Sequence, residues 1–117
     1  MAKTIKEALG EFLRIDGVTA VAIVGRDGFV IESASAATLD TDALGAVVAS
    51  AIGASEMIGK DFEMGKLEQY LLEFAMGKVI IAAAGEDILV VITDLNAVIG
   101  SVRYAVKKGV DGLVKLL

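Results

Sequence analysis

The stretch LRIDGVTAVAIVGRDGFVIES, residues 13–33, decides the fold. Its Asp16-Gly17 pair stops whatever helix precedes it. Val18 to Val24 is then β-branched and apolar on both alternating faces, and Arg26-Asp27-Gly28 turns the chain tightly into Phe29 to Ser33. That spacing predicts a hairpin entered directly from a helix. A turn this short demands antiparallel neighbours, yet the first strand is apolar all round, so both faces of the sheet must be covered.

Upstream, Thr4-Ile5-Lys6-Glu7 has the form of a capping box, in which the Thr4 hydroxyl serves the Glu7 N–H and the Glu7 side chain reaches back. Ile5, Ala8, Leu9, Phe12 and Leu13 follow at helical spacing, with Lys6, Glu7, Glu11 and Arg14 turned outward. The first helix therefore has one wet face.

Downstream, Asp40 is placed to cap a central helix running to about Gly59. Within it, Ala43 to Ser55 reads ALGAVVASAIGAS and carries no charge. At 3.6 residues per turn, Leu44, Val47, Val48, Ala51, Ser55 and Ile58 form one stripe, and Ala46, Ala49, Ser50, Gly53 and Met57 lie opposite. A surface helix would be charged on that second side. The uncharged run is shorter than the roughly 20 residues a bilayer span needs, so the reading is a helix held between its own core and a second protein surface, without membrane insertion. Gly45, Ala49 and Gly53 recur every four residues and allow close backbone approach.

Val79 to Ala84 and Ile88 to Thr93 flank Gly85-Glu86-Asp87 and read as a second hairpin. Leu67 to Ala75 fits a helix through Leu67, Tyr70, Leu71 and Phe74, and a strand through Tyr70, Leu72 and Phe74. The short link Met76-Gly77-Lys78 decides for strand. The last helix is expected to begin near Asn96, with Val98, Ile99, Val102, Ala105, Val106, Leu113 and Val114 as its stripe and Lys107, Lys108 and Lys115 suiting the negative end of its dipole. The order is α-β-β-α-β-β-β-α around a five-stranded antiparallel sheet, an α/β fold of the α+β type. With the first and last helices on one face, the central helix alone guards the other, and its small-residue side invites a second copy.

Composition agrees. The 117 residues fit one domain over 1–117, with no proline and no linker-like tract. The first ten residues lack the apolar core of a signal peptide, which favours a cytoplasmic protein. Apolar residues plus glycine make up roughly 65% of the chain, well above the roughly 45–50% usual for a soluble domain, as buried subunit surface would require. The net charge is −5 with acids and bases interspersed, so a phosphate-backbone footprint is missing and nucleic acid is set aside.

The chain has no histidine and no cysteine, which removes the commonest general base, the serine triads and thiolate chemistry. None of Ser33, Ser35, Ser50, Ser55 and Ser101 has a lysine three residues on, as a Ser-x-x-Lys nucleophile needs. Gly25-Arg26-Asp27-Gly28 leads into a strand, whereas a phosphate loop opens a helix. Asp40/Asp42 and Asp61/Glu63 lack calcium-loop spacing, and Glu86-Asp87 suits a turn. No catalytic residue, metal site or cofactor is expected.

The passage from Leu13 to Ser33, with Gly17-Val18 before the first strand and Asp27-Gly28 before the second, resembles the Roadblock family of dynein light-chain-related proteins, and the likeness of element order spans nearly the whole chain. The resemblance implies a dimer in which the middle strands pair into one continuous sheet. Leu67, Gln69, Leu71 and Glu73, within a pairing edge from Leu67 to Phe74, and Ala46, Ala49, Ser50, Gly53 and Met57 would then form the interface. It further implies a protein without enzymatic activity of its own. Members of the family act as dynein subunits, as scaffolds for Rag-type GTPases or, in the bacterial MglB branch, as partners stimulating hydrolysis by a Ras-like GTPase. The expected function is regulator or effector of such a GTPase, with a structural adaptor that senses no nucleotide as the alternative. Arg14, Arg26 and Arg103 read as surface or turn residues, so no arginine finger is expected.

Overall fold

A computed structural model describes residues 3–117. The elements are α1 (Ile5–Leu13), β1 (Val18–Val24), β2 (Val30–Ser35), α2 (Thr41–Asp61), β3 (Gln69–Phe74), β4 (Gly77–Ala84), β5 (Asp87–Thr93) and α3 (Ile99–Val114). The capping box at α1 forms as expected: Glu7 N–H donates to Thr4 Oγ1 at 3.1 Å, and Thr4 N–H to Glu7 Oε1 at 3.4 Å.

The strands form one antiparallel sheet in the order β2-β1-β5-β4-β3. Local hairpins give β1-β2, β3-β4 and β4-β5; the joint between β1 and β5 is the one pairing between strands remote in sequence. It makes β1 and β5 central and accounts for their being apolar on both faces. Gly17 sits at this joint with φ +87°, a conformation that favours glycine. Its carbonyl accepts from Asp94 N–H at 2.8 Å, and a Cβ there would overlap Ala97.

α1 and α3 share one face, where Leu9, Phe12, Val102, Val106 and Leu113 pack over Val21, Ile23, Ile80, Leu89 and Val91. On the other face α2 alone places Val48 and Ile52 over Ala22, Val24, Ile81, Ile88 and Val90. α2 also carries the chain from β2 at one edge to β3 at the opposite edge. Its 21 residues span about 31 Å, enough to cross five strands about 4.8 Å apart.

Three local expectations shift. β2 begins at Val30 rather than Phe29, because Phe29 still belongs to the turn: its carbonyl takes the Gly25 N–H at 2.8 Å and its own N–H goes to Asp27 Oδ1 at 3.1 Å. α3 begins at Ile99, since Asp94 Oδ1 captures the Asn96 N–H at 2.8 Å in a local turn and leaves Val98 exposed at the cap. The lysine argument at its far end also fails. No basic residue stands in the last turn, and only Lys115, at the cap, is near the dipole's negative end.

Candidate functional site

The helical wheel of α2 is rotated from its sequence reading. Gly45, Val48 and Ile52 are its buried residues, whereas Val47 and Ile58 of the expected stripe are 67% and 58% exposed. The cause is a close approach at Gly45, where a Cβ would overlap the Gly28 carbonyl of the β1-β2 turn. Only glycine lets the helix sit that near, and the contact fixes which side docks. Turning Val47 and Ile58 outward adds them to the face already expected to be free. Ala46, Ser50, Gly53 and Met57 are exposed as that reading requires, and Ala49 is half-buried. The result is an outward strip of Ala43, Ala46, Val47, Ser50, Gly53, Ala54, Met57 and Ile58 without a charge. Although α2 is long and apolar enough to cross a membrane by length and composition alone, in this fold its inner side is committed to the sheet.

The second part of the site is the β3 edge. Ala83 N–H donates to the Glu68 carbonyl at 3.0 Å. Alternation along the antiparallel ladder then turns the backbone groups of Tyr70, Leu72 and Phe74 toward β4, and those of Gln69, Leu71 and Glu73 away from it. The register with β4 runs from Gln69 to Phe74 without a bulge. Among the described residues, no side chain takes up the outward groups of Gln69, Leu71 or Glu73; Arg103 bonds only the Gln69 side chain, at 3.5 Å. Leu67 and Leu71 are half-buried and pack on opposite cores, and Glu73 is exposed. The Tyr70 hydroxyl is buried and unbonded among the described residues.

The other edge, β2, differs. Ala36 N–H donates to the Thr19 carbonyl, so by the same alternation Ser33 is a residue whose backbone faces outward. Both of its groups are occupied: Lys6 Nζ donates to the Ser33 carbonyl at 2.5 Å, and Ser33 N–H donates to Glu32 Oε1 at 3.1 Å. Lys6 and Glu32 face each other at 3.5 Å. A bulge that leaves Ile31 without a cross-strand partner breaks the edge further. Sequence reading missed this arrangement, because a lysine on the wet face of α1 looks like any solvated lysine.

Arg26 is more engaged than a turn residue needs to be. It is hydrogen-bonded and ion-paired to Glu56 on α2, and its Nε donates to the Glu86 carbonyl at 2.9 Å. The hydrogen bond with Glu56 is the main reason its guanidinium is held above its ordinary range; burial opposes it, and the charges of Glu56, Glu86 and Asp87 add to it. A groove of about 680 Å³ runs between this turn and α2, bordered by Phe29, Asp42, Ala46 and Ser50. Asp40 caps α2 by accepting the Ala43 N–H at 3.1 Å. Among the described residues, no three acidic, histidine or cysteine side chains gather as a metal site would require.

Residues 4–94 match the family model described as the Roadblock/LC7 domain. An uncharacterised protein of Methanocaldococcus jannaschii is 37% identical over 107 residues, which is 92% of this chain and 91% of that protein. Among solved structures, MglB of Myxococcus xanthus superposes with a TM-score of 0.88 at 25% identity over 96% of this chain and 93% of its own. An MglB described in a tetrameric arrangement has the same TM-score and identity, over 96% of this chain and 86% of its own.

Proposed function

The chain belongs to the Roadblock/LC7 domain family, and on that premise we propose that it is a non-catalytic, cytoplasmic, single-domain homodimer that regulates, or serves as effector of, a small Ras-like GTPase. The observation that carries the reading is the presence in one chain of an unguarded β3 edge and an uncharged, exposed α2 face. Two copies joined β3 to β3 about a two-fold axis satisfy the outward groups of Gln69, Leu71 and Glu73, and bring Ala46, Ala49, Ser50, Gly53 and Met57 of each α2 against the other. Burying that strip removes apolar surface from water at roughly 25 cal/mol per Å². The likeness to MglB supports a GTPase as the further partner.

Stimulation of hydrolysis on this reading works through the GTPase's own residues. Arg26 is held by Glu56 and the Glu86 carbonyl, so offering it to a nucleotide means breaking both contacts. The protein instead favours one nucleotide state by binding it better, and no shift is possible without such a difference. The test is retention of Ras-like GTPases of the source organism on the immobilised protein, each loaded with a non-hydrolysable GTP analogue or with GDP. Retention with the analogue alone supports the proposal and calls for hydrolysis assays, in which Arg26→Ala is expected to keep any stimulation. Equal retention in both states points to the adaptor function instead. A light-scattering mass of one chain at micromolar concentration refutes the dimer.

A further inference from the structure

We infer that Lys6 and Glu32 hold shut a second strand-pairing surface, the β2 edge, whose occupant when opened is the β2 strand of another copy. The closing is a property of one chain; that it stops the assembly at two copies rests on the β3 pairing proposed above.

An edge strand recruits others through its unpaired N–H and C=O groups. Of the outward residues of β2, Ser35 has backbone groups without a partner among the described residues, while Ser33 at the middle of the strand has both consumed within the chain. The carbonyl takes a charge-assisted bond from Lys6, and the N–H is turned onto the Glu32 carboxylate. A strand arriving here must displace both contacts and further bury an ammonium and a carboxylate whose side chains are now 62% and 38% exposed. Among the described residues, no comparable pair guards Gln69, Leu71 and Glu73 on β3.

Self-complementarity makes a second copy the fitting occupant. β2 reads Val30-Ile31-Glu32-Ser33-Ala34-Ser35, uncharged apart from Glu32, and antiparallel pairing of β2 with its own copy centred on Ser33 sets small residues opposite Ile31 and Glu32. In a dimer joined through β3, both ends of the continuous sheet are β2 edges. Opening them adds a second two-fold contact to the first, and alternating contacts of that kind build an open chain of subunits with no closed end. Lys6 and Glu32 thus separate a finite dimer from a growing sheet.

The experiment compares light-scattering masses over a wide concentration range for the full chain and four variants, each checked by circular dichroism for an unchanged fold. Lys6→Ala with Glu32→Thr opens the β2 edge; Lys6→Arg keeps a charged donor for the Ser33 carbonyl and a partner for Glu32. Glu73→Pro removes an outward donor from β3, and the fourth variant combines it with the opened β2 edge. The expected masses are two chains for the native protein, concentration-dependent species above two for the opened edge, and two again for Lys6→Arg. Glu73→Pro is expected to shift toward one chain, and adding the opened edge to bring back two. An opened-edge mass equal to the native mass at every concentration overturns the inference. Should Glu73→Pro leave the native mass unchanged, the β3 proposal falls, while the β2 inference is still judged by whether opening that edge raises the mass.

Discussion

β2 and β3 are both edge strands of one sheet, each six residues long, yet they differ at the middle of their outward backbone. β2 is bulged, and its Ser33 groups are taken by Lys6 and Glu32. β3 is regular and leaves Gln69, Leu71 and Glu73 without a partner among the described residues. The two faces repeat the contrast: α1 and α3 together seal one, whereas α2 covers the other alone and turns an uncharged strip outward. A chain that blocks the middle of one edge and seals one face has the means to do the same at the others. The asymmetry supports the proposal that β3 and α2 are surfaces kept for assembly.

Placing a charge on the open face should break the contrast most strongly. Ser50→Glu sets two carboxylates near each other across the proposed two-fold and is expected to weaken association by about 3–5 kcal/mol, at least roughly a hundredfold in Kd. Because Ser50 is exposed in one chain, thermal stability at high dilution should stay within about 0.5 kcal/mol. Sedimentation equilibrium measures the first effect and calorimetry the second; loss of fold in the dilute variant would remove Ser50 from the interface.

Ile52, on the docked side of the same helix and 1% exposed, should respond in the reverse sense. Ile52→Ala is expected to cost about 2–5 kcal/mol of folding stability through a cavity under α2. Urea unfolding at a concentration below that of assembly is the measurement, and an unchanged midpoint would mean that α2 is not docked through Ile52.

At the β3 edge, Glu73→Pro removes one outward donor per copy and leaves the ladder to β4 intact. The expected loss is about 1–3 kcal/mol of association, some ten- to hundredfold in Kd. A proline in β3 that leaves the monomer–dimer equilibrium where it was would show that β3 is as idle as β2.

The smallest effect is expected at Tyr70, whose hydroxyl is buried without a partner among the described residues. Tyr70→Phe deletes that unpaired group and should leave the fold as stable as before, or more so by up to about 1 kcal/mol. A fall in unfolding midpoint would show that the hydroxyl has a partner in solution, such as an ordered water.

Much of this was legible along the chain. Caps, turns and strand spans follow from Thr4, Asp40, Gly17, Gly28 and the β-branched runs, because such signals act between residues a few positions apart. The strand from Gln69 was resolved by the shortness of its link to β4 rather than by its pattern, which fitted a helix as well. Of the candidate interface, Ala46, Ser50, Gly53 and Met57 were placed on the free side by helical spacing, and they are exposed. Val47 and Ile58 were put on the wrong side, since in a helix of alanine, glycine and valine the wheel has no charged face to fix its phase.

By itself, then, the sequence determined the elements, their order and the family, all of which rest on local backbone preferences and on patterns repeating within a few residues. Tertiary structure decided the rest. The pairing of β1 with β5 made β2 and β3 the edges; the contact of Gly45 with Gly28 set which side of α2 docks; and Lys6 met Ser33 across 27 positions of sequence. Each depends on groups that become neighbours only once the sheet has closed, and no periodicity within one segment encodes which distant backbone atom a side chain will find.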